Sequence, residues 1–147
     1  MKSGKMDKVA AVAKIAEHKS ARELSLRQQS HRQKRDQLDQ LVEFREGYEL
    51  TLGERGGEGI SARQLQDYRL FLGKLSQAIE QQTSDVREST ESLSMVRAQW
   101  VSASQRTSAL DDLMDERHRA QVKLRDKAEQ NTSDENTMNR GMLNNES

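Results

Sequence analysis

The sequence predicts an all-α protein: an antiparallel two-helix coiled coil, a long α-hairpin whose second helix overhangs the first. Three observations carry that prediction. From Leu65, alternating steps of three and four residues reach Leu124 through eighteen positions, thirteen of them apolar or aromatic. Such spacing averages about 3.5 residues per turn, lays one narrow stripe along a helix and calls for a helical partner. The chain has no proline, although average usage would place roughly seven in this length, and each interior proline would cost a helix about 3 kcal/mol. Finally, four glycines crowd into one short break, Gly53, Gly56, Gly57 and Gly59, which ends one helix and lets the next fold back beside it.

Residues 1–7 are expected to be a flexible polar start, with Asp7 as N-cap of a first helix over 8–52. Its opening turns put Val9, Val12, Ala13, Ile15 and Ala16 on one apolar face. Farther on, Leu24, His31, Leu38, Leu41, Tyr48 and Leu52 keep a heptad register, while Arg27, Lys34 and Arg45 stand where a seam prefers carbon. The early face does not run smoothly into Leu24, so a stutter is expected between them.

The glycine-rich turn occupies 53–60. Ser61 and Gln64 spell a capping box, and Ile60 and Leu65 stand at the positions of a hydrophobic staple. Helix 2 therefore starts at 61 and runs to 129, about 100 Å at 1.5 Å per residue. A first helix of 45 residues covers it only to about position 105. The overhang from Arg106 keeps apolar Leu110, Leu113, Met114, Val122 and Leu124 without a partner of matching length, and an unpaired helix of that size is marginal in water. Residues 130–147, rich in Asn, Ser, Thr and Glu, are expected to be a disordered tail.

Composition limits the chemistry. With 33% hydrophobic and 33% charged residues, the chain can fill a seam but not a globular core. Cysteine is absent, which removes disulfides and thiolate chemistry, and neither a membrane-length apolar run nor a signal-peptide core is present. A soluble, cytoplasmic protein is expected. Net charge is zero but unevenly placed: residues 1–35 hold ten Lys or Arg against three acids, and residues 36–60 hold two against seven. Uneven charge of this kind orients partners.

No catalytic constellation emerges. His18, His31 and His118 are widely separated and lack ligand partners at metal spacing. Gly73-Lys74-Leu75-Ser76 lacks the upstream glycine of a phosphate loop and falls within a helix. No catalytic residue, metal ligand or cofactor is assigned, and no enzyme is expected. The basic run Arg27, Arg32, Lys34 and Arg35 could meet nucleic acid, but no aromatic is interleaved there, and such runs on coiled coils are commonly solvated.

The aromatics say more. Phe44, Tyr48, Tyr68 and Phe71 are all the Phe and Tyr in the chain, and they flank the turn. Helix 2 offers Leu70, Phe71, Leu72 and Leu75 to a seam with room for two residues per heptad, so some must face outward. Phe71, Leu75, Ala78 and Gln82 form a second stripe, matched on helix 1 by Gln37, Leu41, Phe44 and Tyr48. These eight residues either thicken the seam or make an exposed apolar patch for a partner.

At these residues the chain resembles the flagellar export protein family FliJ. The likeness rests on Leu38–Leu52, L-D-Q-L-V-E-F-R-E-G-Y-E-L-T-L, on Gly59–Gln82, G-I-S-A-R-Q-L-Q-D-Y-R-L-F-L-G-K-L-S-Q-A-I-E-Q-Q, and on V-R-A-Q-W at Val96–Trp100. It implies a coiled coil similar to the central stalk of rotary ATPases, peripheral at the inner face of the bacterial membrane within the type III export apparatus. It further implies that the rod enters and activates the hexameric export ATPase FliI, and binds the export gate protein FlhA and export chaperones. The gate contact would map onto Gln37, Leu41, Phe44, Tyr48, Phe71, Leu75, Ala78 and Gln82, although Gln82 departs from the His of some relatives. The ATPase contact would map onto the open end, through Arg27, Arg32, Lys34, Arg35, Leu110, Met114 and Leu124. A monomeric hairpin without nucleic acid is expected. Two other readings stay open: a coiled-coil adaptor that self-associates in parallel, and a basic helical hairpin binding nucleic acid in a salt-sensitive way.

Overall fold

The structure, a computed structural model, describes residues 2–57 and 59–145. Residue 1 of the expected flexible start, turn residue 58 and tail residues 146 and 147 lie outside the described residues. Two helices make up the fold, α1 (Lys2–Gly56) and α2 (Ala62–Asn145), and no strand occurs among the described residues. They pack as an antiparallel coiled coil, since partners rise in number on α2 as they fall on α1. Tyr48 meets Tyr68, Lys34 meets Gln82 and His31 meets Ser89.

Both helices are longer than expected, and the added turns have identifiable causes. Asp7 lies inside α1 rather than capping it, because the helix gains partners ahead of it: Met6 touches the Arg117 guanidinium. At the other end α1 continues through Gly53 and Gly56. Such interior glycines cost about 1 kcal/mol each relative to Ala, but the extra turn carries Arg55 to the Tyr68 hydroxyl, to which it donates at 3.0 Å. The turn is shorter than expected, since α1 ends at Gly56 and α2 begins at Ala62. Gly59 adopts φ +83°, a left-handed conformation that glycine adopts without steric cost. Ser61 then caps α2, its Oγ accepting from the backbone N–H of Gln64 at 3.2 Å, as the capping sequence predicts.

On α2 the predicted stripe is the seam. Each of its sixteen positions from Leu65 to Arg117 is buried or half-buried, with Leu75, Ile79, Val96 and Thr107 deepest, whereas Gln121 and Leu124 are exposed. Coverage thus reaches 117 rather than 105, because α1 is longer at both ends. Beyond it, residues 118–143 are all exposed although helical, where a disordered tail from 130 was expected. With no proline present, Thr132 and Thr137 fold back onto the carbonyls of Ala128 and Ser133.

On α1 no stutter occurs. The covered positions Met6, Ala10, Ala13, Glu17, Ser20, Leu24, His31, Lys34, Leu38, Leu41, Arg45, Tyr48 and Leu52 hold one 3,4 register, broken only by exposed Arg27. Of the early apolar face only Ala13 is buried, while Val9, Val12, Ile15 and Ala16 are exposed. The register set by the Arg27–Ser92 and His31–Ser89 bonds puts half-buried Trp100 about level with Ser20, and close approach favours a small residue opposite a large one.

The chain divides into two compact units, Ala16–Ala103 and Met1–Ile15 with Ser104–Ser147. In the first, the polar middle of the seam is held by hydrogen bonds. Arg27 donates to Ser92 at 3.1 Å, the His31 ring and the Ser89 hydroxyl pair at 3.0 Å, and Gln82 Nε2 donates to the Lys34 carbonyl at 2.9 Å. Paired groups of this kind fix register, since a slip would strand them. In the second unit the Thr107 hydroxyl donates to the Ala13 carbonyl at 3.3 Å. Among the described residues no buried side-chain polar atom lacks a partner. The apolar stretch nearest the turn is expected to anchor its unit: Leu75→Ala should lower stability by about 2–4 kcal/mol, read as a shifted urea midpoint, with no shift contradicting that role.

Candidate interaction surface near the turn

The four Phe and Tyr rings collect at the turn end of the 16–103 unit. Phe44 and Tyr48 are one helical turn apart, with ring centroids at 5.0 Å. Across the seam Tyr48 lies 4.5 Å from Phe71 and 6.1 Å from Tyr68, while Phe44 meets Phe71 edge to face at 6.1 Å. Heptad position explains the division of labour. Tyr48 and Tyr68 occupy the seam and are half-buried. Phe44 and Phe71 each stand one residue before a seam position, and in an antiparallel pair those two edges lie side by side. Phe44 is therefore 51% exposed and Phe71 37% exposed. Tilted and edge-on rings at these distances attract one another beyond simple burial, so the pair is held in place by tyrosines that solvent reaches less.

Of the eight residues expected at this surface, four are exposed: Gln37, Phe44, Phe71 and Ala78. Leu41, Tyr48 and Gln82 are half-buried, and Leu75 is only 7% exposed. Leu75 is thus a seam residue rather than a contact residue, because it falls on both stripes and the helix partner takes it. Gln82 is also committed inward, its amide bonding the Lys34 carbonyl and, at 3.3 Å, Gln37 Oε1. The tyrosines lie in the seam, and the phenylalanines are the exposed rings. Leu70, also in the crowded run, points to solvent. Sequence reasoning missed Arg55 as the brace on Tyr68, because residues 53–60 read as turn.

The residues expected at an ATPase contact are divided between the two units. Arg27, Lys34, Arg32 and Arg35 belong to the 16–103 unit, and Leu110, Met114 and Leu124 to the other. Arg27 bonds Ser92, and Lys34 is half-buried in the seam. Arg32 and Arg35 are exposed and, with His31, Asp36 and Asp39, line a shallow hollow of about 380 Å³. Leu110 and Met114 are half-buried seam residues, whereas Leu124 is exposed. His18 is exposed, and His118 lines a hollow with Met6, Asp7 and Met114. Among the described residues no group of three His, Asp or Glu could hold a metal ion, and no helix is long and apolar enough to cross a membrane.

The chain is thus an all-α hairpin with exposed phenylalanines beside its turn. The chain matches the family described as Flagellar FliJ protein over residues 1–146. A curated relative, the Flagellar FliJ protein of Salmonella typhi, is 26% identical over 116 residues, covering 79% of each chain. No solved structure matches. The chain belongs to the FliJ family, a component of flagellar protein export.

Proposed function

We propose that this protein is a non-enzymatic, central-stalk-like element of flagellar type III export that engages two partners. The aromatic patch binds the cytoplasmic part of the export gate FlhA. The unit holding the chain ends engages and activates the ring of the export ATPase FliI. The protein also helps to escort export chaperones, and it reaches the inner face of the membrane only through these partners. The single observation that carries this reading is the exposed Phe44–Phe71 pair on a tyrosine-braced edge. Exposed aromatics clustered and pre-positioned in this way are the usual anchors of an interface, since their area is buried on binding at little cost in side-chain entropy.

For the ATPase, support comes from the exposed helix beyond residue 117, which keeps Val122, Leu124, Met138, Met142 and Leu143 open to solvent. A lone helix that exposes apolar side chains gains stability by docking. ATP hydrolysis by the cognate ATPase, measured with and without the full chain, tests this part. The expected result is stimulation that saturates with added protein. No effect at any ratio would leave a coiled-coil adaptor working through the aromatic patch alone.

A further inference from the structure

In the unit formed by residues 1–15 and 104–147, part of the apolar surface of α1 is left uncovered by the described residues. Val9 is 46% exposed and Val12 65% exposed, while α2 contributes Leu113 at 47%. The seam register explains why they share a face. With Ala10 and Ala13 in the seam of α1, and Thr107 and Leu110 in that of α2, Val9 and Leu113 both stand on the same edge. Val12 and Ala109 stand one step farther out. The Ala13–Thr107 and Met6–Arg117 contacts set the levels, placing Val9 beside Leu113 and Val12 beside Ala109.

Charges border this strip in a definite order. On the α1 side it is flanked by exposed Lys5 and Lys8, and on the α2 side by exposed Asp112 and Glu116. Lys5 is level with Glu116, and Lys8 with Asp112. Across its width the face is therefore basic, apolar, acidic.

We propose that this face pairs with the same face of a second copy, the two hairpins forming a short four-helix bundle. A two-fold axis along the helices sets α1 of each copy against α2 of the other and leaves every level unchanged. Val9 and Val12 then meet Leu113 and Ala109 of the second copy, while Lys5 faces Glu116 and Lys8 faces Asp112, each pair occurring twice. The alternative two-fold, perpendicular to the helices, would set lysine against lysine and is rejected by like-charge repulsion. An isologous contact needs a self-complementary patch, and this one has that property. Apolar edges beside a two-helix seam are what an antiparallel bundle buries. The monomeric hairpin expected from the sequence then holds only below the dissociation constant of the pair.

Sedimentation equilibrium of the full chain, alongside three charge variants, tests the proposal. The native chain should show a concentration-dependent dimer. Lys5→Glu with Lys8→Glu, and separately Asp112→Lys with Glu116→Lys, should each weaken it by roughly tenfold or more, because like charges then face each other. Mixing those two variants in equal amounts should restore pairing, as should the four changes combined in one chain. Far-UV circular dichroism confirms that each variant is helical, and the mixing experiment needs no variant to pair with itself. A native chain that is monomeric at every concentration overturns the proposal. So does a dimer indifferent to the reversals, or one not restored by mixing.

Discussion

Replacing Phe44 and Phe71 together by alanine should weaken binding to the gate's cytoplasmic domain by roughly a hundredfold, while the chain stays helical. The magnitude follows from position. Each ring is exposed in the free protein yet held by neighbours, Phe71 by Tyr48 at 4.5 Å and Phe44 by Phe71 at 6.1 Å. Buried aromatic anchors commonly lose about 2 kcal/mol or more when truncated, about thirtyfold in affinity apiece, and two adjacent anchors are not additive. The cost to the fold is smaller, because ring contacts contribute about 0.5–1.5 kcal/mol each beyond area burial and the seam beneath remains. Leu75→Ala is the contrasting variant: Leu75 is buried, so its loss should destabilise the hairpin rather than remove a contact. Titration calorimetry with a folded Phe44→Ala/Phe71→Ala protein reads the difference. Unchanged affinity would remove the patch from the gate contact.

Ending the chain after Gln121 should abolish stimulation of the ATPase and leave both units folded. All the covered seam positions, Leu65 through Arg117 on α2, survive this truncation, as do the Thr107–Ala13 and Arg117–Met6 contacts. What is lost is the exposed stretch carrying Val122, Leu124, Met138, Met142 and Leu143. A cut before Arg106 would be a poorer test, since it strips Ala13 and Met6 of their partners as well. Thermal unfolding of the shortened chain should retain the native midpoint to within a few degrees, because residues 122–143 are all exposed. Full stimulation by that chain would move the ATPase contact elsewhere.

The start and the seam of the second helix were legible, and its end was not. Its 3,4 stripe is a consequence of side-chain direction on a 3.6-residue turn, and Ser61 supplied a start signal that depends only on local chemistry. The first helix was less so, because its seam positions are Ala10, Ala13, Glu17 and Ser20, which have no hydrophobic signature. Val9, Val12 and Ile15 have one, and they face away. Only the opposing bulk of Trp100 and the pairing of Ala13 with Thr107 reveal which residues are covered. The helix ends misled for a related reason: Gly53, Gly56 and the polar residues before Asp7 read as breakers, yet Arg55 and Met6 find partners on α2 that local propensity cannot foresee. At the candidate site, the aromatic cluster was visible from composition alone. Its division into Tyr48 and Tyr68 inside and Phe44 and Phe71 outside needed the register of both helices at once.

In the function proposed above, this chain holds gate and ATPase through separate units. The most direct measurement immobilises the gate's cytoplasmic domain and records retention of the ATPase in the presence and absence of this protein. Retention should depend on the full chain and be lost both with the Phe44→Ala/Phe71→Ala protein and with the chain ended after Gln121. ATPase retained equally without the protein, or with either variant, would contradict the account.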